Sequence, residues 1–286
     1  MGIPSFQYDK CEIAWCPGCG NFPIRKALIA ALEESGLEPA KTVLVSGIGQ
    51  AAKMPHYVNA HVFNGLHGRS LPPATAIKAC NPELTVIVES GDGDIYGEGG
   101  NHLLHAIRRN PDITLLVHDN MIYGLTKGQA SPTTMVGMET PVQVFGVSAT
   151  PLNPLALAIA MGAPFVARAS AGDMEQTQGI IRQAIRFKGL AIVDIFQPCV
   201  SFNRLNTFKW FKEHAYYLEA AHDPADRVQA FARAIEEEKL PLGVFYRSME
   251  RTTFEETLAV YKENKEPLFK RNRSMESIRD FMKRYA

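Results

Sequence analysis

The stretch Glu89-Ser-Gly-Asp-Gly-Asp94, set between the apolar runs Leu84-Thr-Val-Ile-Val88 and Ile113-Thr-Leu-Leu-Val117, constrains this chain more than any other feature. The run 84–88 is short and rich in β-branched residues, the pattern of a strand buried on both faces. Gly91 and Gly93 then allow a turn and a close backbone approach that a Cβ would obstruct. A helix expected over 99–109 returns the chain to a second strand over 113–117, so that Asn120 emerges beside Asp92. Ligands of open parallel sheets bind beyond the carboxyl ends of the strands. There Asp92 offers one hard oxygen and Asn120 another. Mg²⁺ typically takes one or two protein oxygens and completes its shell with phosphate oxygens and water. The pattern therefore points to a divalent cation holding a diphosphate. Gly-Asp-Gly alone would equally suit an ordinary turn, and the downstream Asn is what separates the two readings.

The same alternation continues along the chain. Further strands are expected at 42–45, 165–168 and 191–196, and further helices at 23–34, 72–80, 154–161, 174–187, 224–238 and 254–264. Strands alternating with helices predict an α/β fold built on a doubly wound, mostly parallel sheet. Gly47, Asp92 and Asn120 all fall at the carboxyl ends of its strands. The helix at 224–238 is expected to use Asp223 as N-cap with Pro224 in its first position. Residues 125–152 read as a long Gly/Ser/Thr/Pro-rich loop, and such loops inside compact domains are more often functional than idle. Three segments follow: a Cys-rich cap at 1–22, a diphosphate-binding domain at 23–205 and a helical C-terminal extension at 206–286.

Composition excludes several function classes. Lys+Arg and Asp+Glu balance at 30 each, which gives no electrostatic case for a nucleic acid or an anionic membrane as partner. The most apolar long stretch, 155–167, is broken by Gly162 and Pro164 and does not read as a membrane span. Met1-Gly-Ile-Pro-Ser-Phe-Gln lacks the basic start and apolar core of a signal peptide. A cytoplasmic location is the expectation. Five cysteines in such a chain point to metal or catalysis before disulfides. Cys16-Pro-Gly-Cys19 alone admits a redox pair or zinc, although no βαβ pattern precedes it and no second pair stands at finger spacing.

Gly91-Asp-Gly93 followed by Asn120 resembles the thiamine-diphosphate motif. Around it, Trp15-Cys-Pro-Gly-Cys-Gly-Asn21, Ser46-Gly-Ile-Gly49, Leu66-His-Gly-Arg69, Gly100-Asn-His102 and Arg108-Arg-Asn110 resemble the beta subunit of 2-oxoacid:ferredoxin oxidoreductases. So do Tyr123-Gly-Leu-Thr-Lys-Gly-Gln129, Ser131-Pro-Thr133, Gln197-Pro-Cys199 and Gly243-Val-Phe-Tyr246. The resemblance implies thiamine diphosphate and Mg²⁺, the metal held by Asp92, Asn120 and the backbone oxygen of Ile122. Gly47, Ile48, Gly49, Gly91, Gly93, Asp94, Tyr123, Gly124, Leu125 and Thr126 would then line the cofactor site. It also implies a 4Fe–4S cluster, with Cys16, Cys19 and Cys199 at matching positions. The family's fourth ligand commonly follows Gly-Ile-Gly, and here that position is Gln50; glutamine is a poor ligand for iron, so either the cluster is lost or another residue completes it. Cys11 is the candidate replacement, because Cys11-x4-Cys16-x2-Cys19 with Cys199 distant has the C-x4-C-x2-C…C form. Cys80 reads as a small buried hydrophobe.

The cofactor carries the difficult chemistry in such enzymes. What the resemblance implies is oxidative decarboxylation of a 2-oxoacid, electrons passing through the cluster to ferredoxin and the acyl group to coenzyme A. His67 and Arg69 are candidates for holding the diphosphate or the substrate's 1-carboxylate, against a plain loop ion pair. Lys53 is a candidate for a distal substrate carboxylate, which would favour 2-oxoglutarate over pyruvate, against a solvated lysine. Lys127 is a candidate for a phosphate or carboxylate of coenzyme A or substrate. The glutamate that activates the aminopyrimidine ring comes from the family's alpha subunit, so an obligate alpha partner in a heteromer is expected. Phe208, Trp210, Phe211, Tyr216 and Tyr217 offer either a partner surface or ordinary core. The alternative is a non-oxidative thiamine-diphosphate decarboxylase or synthase subunit without a cluster, which Gln50 alone favours.

Overall fold

The computed structural model describes residues 5–8, 10–272 and 274–285. Of the Cys-rich segment expected at 1–22, the first four residues and Asp9 lie outside this range. In chain order the elements begin α1 (Asn21–Glu34), β1 (Thr42–Ser46), β2 (His61–Asn64), α2 (Leu71–Cys80) and β3 (Thr85–Gly91). Next come α3 (Gly100–Arg109), β4 (Thr114–Asp119), α4 (Pro154–Ala160), β5 (Phe165–Ser170), α5 (Met174–Arg186) and β6 (Ala191–Phe196). The chain closes with α6 (Phe208–His214), β7 (Ala215–Tyr217), α7 (Arg227–Ala234), β8 (Leu240–Arg247), α8 (Phe254–Thr257) and α9 (Met275–Lys283).

The eight strands form one sheet in the order β2-β1-β3-β4-β6-β5-β8-β7. Every pairing is parallel except that between β5 and β8. Successive side chains of a strand point to opposite faces, and both faces here are apolar. Leu44, Ile87, Leu116, Ala167 and Val193 join α1 and α5 in one core. Val43, Val45, Val86, Val88, Leu115 and Val117 join α2, α3, α4 and α7 in the other. Burial on both faces is why the central strands read as unbroken apolar runs. The doubly wound sheet expected from the sequence is the one observed.

Several boundaries differ from expectation for local reasons. The helix expected at 224–238 is only Arg227–Ala234, and its N-cap is Asp226, whose carboxylate accepts from Val228 N and Gln229 N. Asp223 instead accepts from Ala225 N in the preceding turn. The helix expected at 254–264 stops at Thr257, although Thr253 and Glu256 form a capping box at its start. Beyond it the chain turns so that Tyr261 is buried and donates to Ala79 O at 2.7 Å. Cys80 is exposed rather than buried, at the last position of α2. The C-terminal segment carries the expected helices and also contributes β7 and β8 to the sheet. Phe211 is core, stacked on Phe196 at 4.6 Å, whereas Phe208 and Tyr217 remain exposed. No helix among the described residues is long and apolar enough to cross a membrane.

Candidate active site

Four adjacent parallel strands, β1, β3, β4 and β6, deliver the site. Gly47 follows β1, Asp92 follows β3, Asn120 follows β4, and Gln197-Pro-Cys199 follows β6. Their register aligns these ends, pairing Ser46 with Glu89, Gly91 with His118 and Asp119 with Phe196. Sequence spacing placed Asp92 beside Asn120, and the parallel pairing of β3 with β4 is the physical reason.

Asp94 organises the loops beyond β1 and β3. Its Oδ1 accepts from Ile48 N at 3.1 Å and Gly68 N at 2.7 Å, and its Oδ2 accepts from Ser90 Oγ at 2.7 Å. One carboxylate thus ties the Gly-Ile-Gly turn and the His-Gly-Arg loop to β3. Three of its roughly four acceptor positions are taken by these donors, which fixes Asp94 in place. The chain around it, Gly93–Glu98, is a π-helical turn closed by Gly99 N donating to Asp94 O at 2.7 Å, a form frequent at functional sites. Space is tight. A Cβ on Gly47 would lie 2.0 Å from Asp94 Oδ2, and one on Gly93 would lie 2.2 Å from the Tyr123 ring, whose hydroxyl donates to Gly93 O.

The expected cation ligands are Asp92, after β3, and Asn120 and Ile122, after β4. Asp92 is buried, and Thr133 Oγ1 lies 2.7 Å from its Oδ2 and 2.8 Å from Asp119 Oδ1. One hydroxyl proton serves one carboxylate at a time. Burial, reinforced by the nearby charge of Asp194, pushes Asp119 well above the usual carboxylate range. Burial also raises Asp92, to about 6. A cation at Asp92 would relieve that desolvation. Met121 adopts φ +56°, a left-handed conformation disfavoured by roughly 1–2 kcal/mol for a residue with a Cβ. The turn is held because Ile122 N donates to Asn120 Oδ1 at 3.0 Å, Thr134 Oγ1 donates to Met121 O at 2.7 Å, and Asn203 Nδ2 donates to Asn120 O at 3.0 Å. One carboxylate, one amide and one main-chain oxygen suit Mg²⁺. Among the described residues no group of three or more His, Cys, Asp or Glu side chains is placed to hold a metal ion.

Cys16, Cys19, Cys199 and Gln50 line one pocket together with Asn120 and Gly124 of the turn after β4. Gln197 Nε2 donates to Cys19 Sγ at 3.3 Å and Ser201 Oγ to Cys16 Sγ at 3.1 Å. Burial pushes the Cys19 thiol up to about 11, with Cys199 and Cys16 adding to the rise. Cys11 is not brought here: it is exposed, its Sγ 3.5 Å from His56 O.

The remaining expected residues are more dispersed. His67 Nδ1 meets Glu98 Oε2 at 2.7 Å between two exposed side chains, a contact worth about 0–1 kcal/mol. Arg69 and Lys127 are exposed, and Lys53 is half-buried on the 3₁₀ turn Ala51–Tyr57. Leu125 and Thr126 are exposed on the loop closed by Tyr123 N donating to Gln129 O. Sequence reasoning gave no role to Asp119 or to Thr133, although Ser131-Pro-Thr133 was among the motifs that stood out.

Comparison with known proteins agrees with this geometry. Residues 43–195 match the family "Thiamine pyrophosphate enzyme, C-terminal TPP binding domain". Residues 199–263 match the family of the C-terminal part of the pyruvate ferredoxin oxidoreductase beta subunit. The chain is 43% identical over 270 residues to subunit beta of 2-oxoacid:ferredoxin oxidoreductase 1 from Aeropyrum pernix, covering 90% of this chain and 85% of that protein. The chain belongs to the beta subunits of 2-oxoacid:ferredoxin oxidoreductases. Another such beta subunit, from Saccharolobus solfataricus, is 42% identical over 259 residues, 86% of this chain and 85% of that one. A solved 2-oxoglutarate:ferredoxin oxidoreductase from Magnetococcus marinus, with 2-oxoglutarate, coenzyme A and succinyl-CoA bound, has a chain that superposes with TM-score 0.90 at 33% identity. That match covers 97% of this chain and 94% of the other. Membership in the beta subunits accounts for the thiamine pyrophosphate-binding domain and implies an alpha subunit partner.

Proposed function

We propose that this beta subunit, with its alpha subunit, catalyses coenzyme A-dependent oxidative decarboxylation of a 2-oxoacid, 2-oxoglutarate in preference to pyruvate. The observation that carries the reading is that Asn120 and Gly124, of the turn after β4, line one pocket with the three cysteines. When bound, thiamine diphosphate supplies the decarboxylation, and an iron–sulfur cluster supplies one-electron oxidation with ferredoxin as the onward acceptor. The residues of this chain bind and orient. Asp92 gives Mg²⁺ a carboxylate, Asn120 and the main-chain oxygen of Ile122 complete the protein ligands, and the glycine edges at 47–49 and 91–93 admit phosphate oxygens. Asp94 fixes those edges, and Thr133 holds Asp92 in place. Cys16, Cys19 and Cys199 would hold the cluster beside the cation turn, which keeps the electron path short. His67 and Arg69 offer positive charge to a 1-carboxylate or a phosphate, Lys127 to coenzyme A or substrate, and half-buried Lys53 to a distal carboxylate.

The test is composition and turnover of the complex purified without oxygen. Bound thiamine diphosphate together with iron and labile sulfide, and ferredoxin reduction dependent on coenzyme A and a 2-oxoacid, is the expected result. Thiamine diphosphate bound without iron, with carbon dioxide released and no ferredoxin reduced, would move the protein to non-oxidative chemistry.

A further inference from the structure

We propose that Gln50, through its side-chain amide oxygen, is the fourth ligand of the iron–sulfur cluster, with Cys16, Cys19 and Cys199 supplying three thiolates. The inference rests on the reading that a cluster is bound in this pocket. Gln50 lines the pocket with all three cysteines. Its Oε1 is buried and has no hydrogen-bond partner. A buried acceptor left unpaired is destabilising, and an iron atom in the pocket would remove that deficit. The backbone is fixed as a ligand's should be: Gln50 O accepts from Trp15 Nε1 at 2.8 Å, and Trp15 packs edge-on against Phe22 and Tyr57. That bond ties the loop carrying Gln50 to the residue before Cys16.

Gln197 Oε1 in the same lining is also buried and unpartnered, but the Gln197 amide is already committed through Nε2 to Cys19 Sγ and Pro198 O. Cys11 is the other alternative and lacks these features. Its side chain is exposed, it approaches His56 O rather than the other thiols, and it does not line the pocket.

Two properties follow from an amide oxygen in that position. A neutral oxygen replaces an anionic thiolate, so the cluster carries one unit less negative charge and its reduction potential rises. An oxygen is also a harder, weaker donor to iron than sulfur, so the iron it holds is the first to leave.

The experiment uses the complete complex, purified without oxygen, as wild type, Gln50→Ala, Gln50→Cys, Cys11→Ser and Cys16→Ser. Iron, labile sulfide, electron paramagnetic resonance and the midpoint potential are measured, and the signal lost in Cys16→Ser identifies the cluster held by this chain. We expect Gln50→Ala, after brief mild oxidation, to lose about one of that cluster's four irons and to show a three-iron spectrum. Gln50→Cys should retain all of the iron and lower the midpoint potential, while Cys11→Ser matches wild type in every readout. Loss of iron in Cys11→Ser comparable to Cys16→Ser would overturn the assignment, as would a Gln50→Ala protein with wild-type iron and spectrum. If Gln50→Ala does not assemble, an unchanged potential in Gln50→Cys overturns it alone. Wild type that binds thiamine diphosphate but shows no cluster signal removed by Cys16→Ser would instead overturn the reading that a cluster is bound.

Discussion

Single atoms decide much of this site. Gly47 illustrates how narrow the margin is, because its missing Cβ is the space that Asp94 Oδ2 occupies. Asp94 cannot swing away cheaply, since three donors hold it. Gly47→Ala should therefore cost on the order of 3 kcal/mol, about two hydrogen bonds to a charged group. Thiamine-diphosphate affinity should fall by at least tenfold with it, at 1.4 kcal/mol per factor of ten. Thermal unfolding and cofactor titration of the complex measure both, and wild-type values in each would show that Asp94 is not the organising group. Lys53 is a prediction of a different kind. If its ammonium meets a distal carboxylate, Lys53→Ala raises the KM for 2-oxoglutarate by about ten- to a hundredfold, the loss of one charge-assisted bond of roughly 1.5–3 kcal/mol. The KM for pyruvate, which has no such group, should change little. Equal changes for the two substrates would remove Lys53 from the specificity argument.

At the scale of elements, the buried ion pair between β5 and β6 is the most exposed to test. Arg168 and Asp194 face each other in register, Nε to Oδ2 at 2.9 Å, with Arg168 also lying over the Phe196 ring. Tyr96, from the π-helical turn, donates to Asp194 Oδ1 at 2.7 Å. The pair thus links the sheet to the turn that carries Asp94. Removing one partner leaves a buried charge unpaired, which costs about 3–5 kcal/mol. Arg168→Met should show that loss in denaturant unfolding, and Arg168→Met with Asp194→Leu should recover most of it. A single variant within about 0.5 kcal/mol of wild type, the usual surface-substitution range, would mean that the pair does not offset the cost of its burial.

For the whole molecule, we propose that the chain carries the diphosphate half of the site. The strands that build it are the central ones, while the edge strand β2 is exposed along its length. The glutamate that activates the aminopyrimidine ring is expected from the alpha subunit. We predict that the isolated chain does not turn over any 2-oxoacid and that adding the alpha subunit restores activity. Measurable ferredoxin reduction by this chain alone, with thiamine diphosphate, Mg²⁺ and coenzyme A supplied, would contradict that division of labour.

The central strands, the helices between them and the Gly-Asp-Gly…Asn arrangement were legible in the sequence. Their signals are local: β-branched runs, helical spacing of apolar residues, and glycines where the backbone must turn. Asp92 and Asn120 could be paired on sequence grounds because a βαβ unit places consecutive strand ends side by side. What tertiary structure alone decided is where distant segments meet. Gln197 reaches Cys19 across 178 residues of chain, and Asn110 reaches the carbonyl of Thr252 across 142. No spacing rule could show that Gln50 lines the pocket of three cysteines while Cys11 stays outside, because that depends on how the loop after β1 packs on Trp15. The Thr133 hydroxyl between two carboxylates, the antiparallel insertion of β8 beside β5 and the cap at Asp226 are of the same kind. Local periodicity fixes elements, whereas a site made from the ends of four strands and two loops exists only once those elements have packed.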